Sequence, residues 1–557
     1  MTTYNLDSAI FNPALLTVIS PSTAGIVSST LTAAGLLQPG TLLDPVPGSA
    51  PGPATIGSGS FFAYTGPNGT SSNVTSGGGN ILATGILGGS INDSSPVGND
   101  TLVGGDASGT ELQVNLGNNT IYGGAGQETL IGGSGNDLLV GGGLSYVVAG
   151  SGADTLNGGN LAGANDTLIG GSGRDVLAAF QGANVLQSGS GFNTLFGGAG
   201  ADSLFGGGRT VEVAGTGANH LLGGFAATSA DTLFGGSGND TLGVFQGSNL
   251  LQGGSGANTL FGGAGADSLF GGGRTVEVAG TGANHLLGGF AATSADTLIG
   301  GSGNDTLGVF QGANLLQGGS GANTLFGGAG ADSLFGGGRT VEVAGTGANH
   351  LLGGFAATSA DTLIGGSGND TLGVFQGANL LQGGSGANTL FGGAGADSLF
   401  GGGRTMEVAG TGANQLLGGF AATSTDTLIG GSGNDTLSVF QGANWLQAGS
   451  GSDMLYGGSG QDTIFGGSGQ DTVALGTGKT LVVGGSGADT VASGLLGNST
   501  ILGGNSTTVN SAQNASSIVG QSTISGGVTQ ITFSNSQVLD VKNVTIHFNG
   551  GGGIHIG

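Results

Sequence analysis

Residues 132–456 are one 65-residue unit written five times, with copies beginning at Gly132, Gly197, Gly262, Gly327 and Gly392. Copies three and four are identical, and copy two differs from them only at Phe234 and Ser248. An array this uniform does not have the layout of a catalytic domain. It predicts a quasi-one-dimensional object in which each unit packs mainly on its neighbours.

Inside the unit runs a shorter beat. Copy two divides as GGAGADSLF, GGGRTVEV, AGTGANHLL, GGFAATSADTLF, GGSGNDTLG, VFQGSNLLQ and GGSGANTLF, seven motifs of mostly nine residues. Most follow G-G-x-G-x-D/N-x-L-x. The glycines supply positive φ for a tight turn, and the Asp or Asn tolerates that turn and bonds local backbone. The x-L-x triplet reads as a short strand, with Leu pointing inward and its neighbours outward.

These motifs resemble the glycine-rich nonapeptide repeat of RTX proteins, a calcium-binding parallel β-helix. The resemblance covers about residues 95–492, and its weight comes from dozens of motifs in phase. It implies an all-β fold: a parallel β-roll, or β-solenoid, with two motifs per coil and Ca²⁺ held between stacked turns. It also implies export by type I secretion machinery, read from a C-terminal signal. On that geometry residues 95–492 hold about twenty coils, a length on the order of 100 Å at ~4.8 Å per coil. Seven motifs per unit is an odd number, so successive copies should present the same motif on opposite faces.

Composition narrows the partners. The chain has 557 residues, 133 of them Gly, no Cys and a net charge of −25. Hydrophobic content of 37% is too high for simple disorder, and without collagen spacing the glycine excess belongs to turns. Zero Cys excludes disulfide staples and thiolate metal sites. An acidic chain with 7 Lys+Arg repels nucleic acid and anionic membranes. No apolar run approaches the ~20 residues that span a bilayer, so no membrane insertion is expected. The opening MTTYNLDSAIF has no basic n-region, which argues against a Sec signal peptide. Export is then expected from the other end, to an extracellular or cell-surface location.

Five regions follow. Residues 1–77 are a low-charge arm with apolar clusters at 14–20 and 25–37 and a Pro-rich linker at 43–53. They read as a poorly ordered arm or as a cap over the first coil, since the end coils of an array expose strand edges. Irregular opening repeats occupy 78–131, the five long units 132–456, and terminal repeats 457–492. Residues 493–557 include GVTQITFSNSQVLDVKNVTIHF, whose alternation predicts a β-rich C-terminal cap that an export signal would overlap.

If motif n stacks on motif n+2, the sixth motif residues form ladders. Asp137, Asp154 and Asp175 line one; Asp435, Asp453, Asp471 and Asp489 line another. Consecutive carboxylates plus turn carbonyls suit Ca²⁺, which takes 6–8 oxygens at ~2.3–2.6 Å. Asp462 joins the set near the C-terminal end. In the central copies Asp alternates with Asn, as in Asp202, Asn219, Asp240 and Asn258, and in Asp231 followed by Asn249. There Asp202, Asp240, Asp267, Asp305, Asp332, Asp370 and Asp397 are weaker candidates, and a metal-free Asn/Asp hydrogen-bond ladder is the alternative. Where carboxylates stack, metal binding becomes folding free energy.

Position nine should face outward: Phe196, Phe205, Leu222, Phe234 and Phe261, then Ile299, Ile364 and Ile429. Apolar stripes of this kind favour lateral packing of rods. His220, His285 and His350, with Gln415 in copy five, read as surface residues, since a catalytic base needs a fixed partner nucleophile. Arg209 and Glu212 are expected to pair on the surface, at ~0–1 kcal/mol. GTGKT at 476–480 imitates a P-loop, but Val473 stands where that motif needs its first glycine, so it reads as turn chemistry. The pattern favours a secreted, calcium-stiffened structural protein that self-assembles into a layer, filament or matrix. A calcium-dependent adhesin or ice-binding module is second, although the turn residue varies among Ser, Thr, Ala, Gly and Gln. An enzyme with an RTX tail is last, because about 77 residues before the repeats carry no metal-ligand or triad signature.

Overall fold

Left-handed glycines mark the turns between the buried triplets. In the motif that opens copy one, Gly133 (φ +86°) and Gly135 (φ +120°) fold the chain into a turn that a β-carbon would strain. The triplet Leu138–Val140 then forms the strand, while Ser134 in the turn bridges Leu116 and Ser151 on the neighbouring coils. The computed structural model describes residues 98–493, 498–549, 551 and 553–556, and the short stretches 4–5, 42–43, 46–47, 62–64, 72–74, 81–83 and 89–94. The apolar clusters at 14–20 and 25–37 and most of the Pro-rich linker lie outside the described residues. Two units, Met1–Thr281 and Gly282–Gly557, are taken in turn.

In the first unit, Thr120–Tyr122 lies parallel between Thr101–Val103 and Leu138–Val140, which places Ile121 beside Leu102 and Leu139. Leu138–Val140 continues to Thr155–Asn157, and that strand to Val176–Ala178. Each step advances two motifs, so the chain climbs as a parallel solenoid. A second sheet runs through Gln127–Ile131, Leu144–Val148, Thr167–Gly173 and Val185–Phe196. The middle residue of each triplet points between the sheets: Leu139, Leu156, Leu168, Leu186, Leu195 and Leu204 are all 0% exposed. A core one leucine thick is stabilised by burial of roughly 1.5–3 kcal/mol per side chain.

The second unit repeats the plan. His285–Leu287 pairs with Thr306–Gly308 on one sheet. On the other, Ser333 is flanked by Leu315 and His350. The histidine motif therefore switches sheets from copy three to copy four, the face exchange that an odd motif count requires. After Ser499–Asn514 the pairing changes. Val538–Asn549 lies parallel to that strand and antiparallel to Val528–Phe533 and Gly553–Ile556, while Ile518–Ile524 pairs antiparallel with Val528–Phe533. Buried Ile531, Phe533, Leu539, Val541 and Ile546 pack there. Among the described residues the only helical turns are Ala515–Ser517 and Ser525–Gly527.

One surface expectation is overturned. Glu212 does not pair with Arg209 on the outside: it is 0% exposed, as are Glu277, Glu342 and Glu407. Arg209 and Glu212 are three apart, and an odd separation on a strand places side chains on opposite faces. The Arg209 Nε instead donates to the Ala230 carbonyl (3.2 Å). Position nine does face outward, unevenly. Phe196 and Phe261 are 41% and 44% exposed, whereas Phe205, Leu222, Phe234, Ile299, Ile364 and Ile429 are half-buried. Phe234, for instance, lies in register between Val213 and Gln252 on the same sheet.

Candidate calcium-binding turns

The sixth residue of each motif precedes its strand, and its side chain turns inward. Asp137, Asp154, Asp175, Asp202, Asp240, Asp267, Asp305, Asp332, Asp370, Asp397, Asp435, Asp453, Asp462, Asp471 and Asp489 are all at most 3% exposed. The ladders form as the two-motif coil requires. The Asp137 N–H donates to Asp154 Oδ1 (2.7 Å) and the Asp154 N–H to Asp175 Oδ1 (3.1 Å). Asp435 donates in the same way to Asp453 (2.7 Å), Asp453 to Asp471 (3.0 Å), and Asp471 to Asp489 (3.3 Å). Each Oδ1 thus fastens its coil to the one before. On the outer side the fifth residue fastens in the other sense: Asn136 N–H donates back to Asn118 Oδ1 (2.7 Å) and Ala153 N–H to Asn136 Oδ1 (2.7 Å).

The second carboxylate oxygen separates the candidates. Oδ2 of every candidate Asp except Asp489 is buried without a hydrogen-bond partner. A buried acceptor left bare costs roughly 1–3 kcal/mol, and more when charged. At six turns a carbonyl from the next coil borders the same small space, the one left by the first glycine. A methyl added at Gly235 would meet Gly253 O at 2.6 Å and Asp240 Oδ2 at 2.7 Å. The same pair of acceptors recurs at Gly170 with Asp175, Gly300 with Asp305, Gly365 with Asp370, Gly430 with Asp435 and Gly466 with Asp471. At Gly132, Gly197, Gly262, Gly327 and Gly392 the carboxylates of Asp137, Asp202, Asp267, Asp332 and Asp397 border the space without a carbonyl as near. Around Gly457 the packing is looser, with Asp462 Oδ2 at 3.5 Å.

Two members of the Asp-rich ladders differ for a reason the Asp spacing does not reveal. Ala149 and Ala448 open the motifs of Asp154 and Asp453, and both alanines are buried. Their methyl groups occupy the space that glycine leaves open. Asp489 is satisfied from the protein, because the Thr507 hydroxyl donates to its Oδ2 (3.4 Å). Asp231, Asp296, Asp361 and Asp426 are also satisfied: the N–H groups of Gly224, Gly289, Gly354 and Gly419 each donate to Oδ2 at 2.9 Å.

Where the ladder residue is Asn, its amide supplies a donor from within the chain. Asn258 Nδ2 donates to Gly254 O (3.1 Å) and stands beside Gly271 O at the Gly253 space. Asn219 Nδ2 donates to Asp240 Oδ1 (2.8 Å), so the central ladders alternate donor and acceptor. In the Asp-rich ladders like charges meet. Burial first, then the Asp453 charge, pushes Asp435 up to about 6. Burial, then the charges of Asp453 and Asp489, pushes Asp471 up to about 6 as well. Burial and Asp154 do the same to Asp137 and Asp175, each raised to about 6.

These turns fit calcium. Among the described residues no three acidic or histidine side chains gather into a cage, so an ion here draws on one or two carboxylates and backbone carbonyls. That is a hard, all-oxygen donor set with ligands spread along the turns, as Ca²⁺ accepts. The GTGKT segment is turn chemistry: Thr480 is buried and its N–H points to Ser499 Oγ (3.4 Å).

Sequence comparison agrees with this geometry. The model of the RTX calcium-binding nonapeptide repeat (4 copies) matches in overlapping or adjacent stretches from residues 111–139 to 438–473, well over half of the chain. No curated protein matches the sequence. A parallel β-solenoid of in-phase glycine turns, with inward aspartates whose outer oxygen lacks a donor, is thus joined by a family match along most of its length: the chain belongs to the RTX calcium-binding nonapeptide repeat family.

Proposed function

We propose that the protein is a secreted structural β-roll that calcium stiffens and that self-assembles, side by side, into an extracellular layer, filament or matrix. One surface feature carries this reading. Each of copies two to five exposes a stacked phenylalanine pair on adjacent coils: Phe225–Phe245 (4.3 Å between ring centres), Phe290–Phe310 (4.4 Å), Phe355–Phe375 (4.4 Å) and Phe420–Phe440 (4.5 Å). The first ring of each pair is 60–62% exposed. Recurrent exposed aromatic surface marks association sites, and repetition on one chain multiplies a weak contact.

Two further observations support a structural role over catalysis. The carboxyls raised furthest, Glu128, Glu212, Glu342 and Glu407, are at most 2% exposed, which leaves little of them for a substrate to meet. The histidines at 220, 285 and 350 lie exposed on the sheet surfaces. Export through a type I secretion system, unfolded at low calcium and folding outside, is the route the family membership favours. No helix among the described residues is long and apolar enough to cross a membrane.

The test replaces Phe225, Phe290, Phe355 and Phe420 with Ser in the full chain. Sedimentation and negative-stain microscopy in calcium should show assemblies for the parent and monomers for the variant, with equal calcium uptake and circular dichroism. A parent that stays monomeric in calcium, or a variant that assembles equally well, removes the assembly reading.

A further inference from the structure

Four glutamates occupy core positions otherwise held by leucine. Glu212 lies in register between Leu195 and Leu233, and Glu277 beside Leu260. In the second unit Glu342 lies between Leu325 and Leu363, and Glu407 between Leu390 and Leu428. All four are 0% exposed. An ionised carboxylate there is strongly disfavoured unless it is paired.

The available partners are insufficient. The Thr210 hydroxyl lies 3.2 Å from Glu212 Oε1 and 3.4 Å from Asp231 Oδ1, and it has one hydrogen for two carboxyls. Asp231 has other donors: the Thr210 N–H on Oδ1 (2.7 Å) and the Gly224 N–H on Oδ2 (2.9 Å). Glu212 Oε2 is buried with no hydrogen-bond partner of good geometry, as are Glu342 and Glu407 Oε2; the Gly206 and Leu222 N–H groups near the Glu212 carboxyl offset its burial only in part. The charged or titratable groups on the enclosing strands and turns are Asp231, Asp202, Arg209 and His220. Asp202 already receives the Asn184 N–H and amide (2.9 and 2.8 Å), and Arg209 and His220 are exposed. A cation would find fewer oxygens: the space at Gly206 is bordered by the Thr210 methyl and hydroxyl, each at 2.6 Å, and by Glu212 Oε1 at 2.7 Å, with no carbonyl as near as those at the turns described above.

We propose that the Glu–Thr–Asp clusters at Glu212, Glu342 and Glu407 are proton-holding latches, and that Glu277, in the same core position, behaves alike: these glutamates stay protonated in the folded chain at neutral pH, and loss of that proton to solvent at alkaline pH loosens the core of the unit. The Asp keeps the negative charge, because it holds the N–H donors. Burial first, helped by the charge of the neighbouring Asp and partly offset by the threonine hydroxyl and two backbone N–H groups, pushes Glu212, Glu342 and Glu407 up to about 8 from an ordinary 4.5. A carboxyl raised on folding contributes stability that is complete below its unfolded value and is lost as pH rises toward its folded one. The window is therefore about pH 4.5 to 8, with the unfolding constant rising about tenfold per pH unit per glutamate. This inference does not depend on the calcium reading.

The experiment uses the full chain in saturating calcium. Urea unfolding from about pH 5 to about pH 8, inside that window, is compared between the parent and a variant carrying Glu212→Gln, Glu277→Gln, Glu342→Gln and Glu407→Gln. The parent should lose stability steeply as pH rises, while the variant follows a flatter curve. Infrared spectra at neutral pH should show a protonated-carboxyl stretch in the parent that is absent from the variant. Identical pH dependence, or no such band in the parent, overturns the latch. So does a variant that binds four fewer calcium ions, which would make the clusters cation sites. Should the fourfold variant not fold, Glu342→Gln alone and the infrared spectrum of the parent decide.

Discussion

Two stretches of one ladder in the second unit solve the same problem differently. Between Asp361 and Asn414, Asp and Asn alternate: Asp361 N–H donates to Asn379, Asn379 to Asp397, and Asp397 to Asn414, each at 2.9 Å. Asn379 Nδ2 also donates to Asp397 Oδ1 (2.8 Å), so every second residue neutralises its neighbour. From Asp435 to Asp489 the same ladder is carboxylate throughout, joined by the same backbone bonds. The backbone path is unchanged while the electrostatics reverse. The alternating stretch brings its own donors, whereas the acidic stretch needs them from solution.

The contrast is broken most severely by removing calcium. In chelator, hydrogen exchange should show residues 436–493 losing protection first, while 362–417 keep most of theirs. Equal loss in both stretches would mean that the amides do not replace the ion. Acid should then reverse the order. Asp435 and Asp471 are raised from 3.8 to about 6, so the metal-free acidic stretch is most stable below about pH 3.8 and weakens as pH rises through about 6. Its protection in chelator should be greater at about pH 4.5 than at about pH 7.5. In calcium the dependence should run the other way, because protons displace the ion. A finer cut uses single turns. Gly365→Ala puts a methyl between Asp370 Oδ2 and Gly383 O and should remove about one calcium per chain by calorimetry. Ala448→Gly opens the turn of Asp453 and should tighten or add one ion. If neither changes the stoichiometry, the first-glycine space is not where the ion's ligands meet.

Much of this ladder was legible in the sequence, because a repeat of fixed length dictates which residues stack: Asp137 on Asp154, Asp453 on Asp471. The alternation of Asp with Asn was legible for the same reason. What the spacing could not give was the environment of the second oxygen. That depends on a carbonyl from the next coil and on whether the motif opens with Gly or with Ala, as at Ala149 and Ala448. Glu212 was misplaced by its charge, although parity along T-V-E-V already set it on the inward face with Thr210. The phenylalanine pairs were missed because Phe225 and Phe245 belong to two differently shaped motifs. Their 20-residue separation, about one coil, was the available signal.

Seven motifs per unit carries a consequence for how such a gene changes length. Copies three and four are identical, which invites slippage during replication. Loss of one copy would preserve the stacking but bring the run from Asp435 to Asp489 onto the ladder that now holds Asp296 and Asn314, exchanging every downstream face. Loss or gain of two copies restores the original pattern. Selection on any surface this protein presents should therefore tolerate even steps in copy number and resist odd ones.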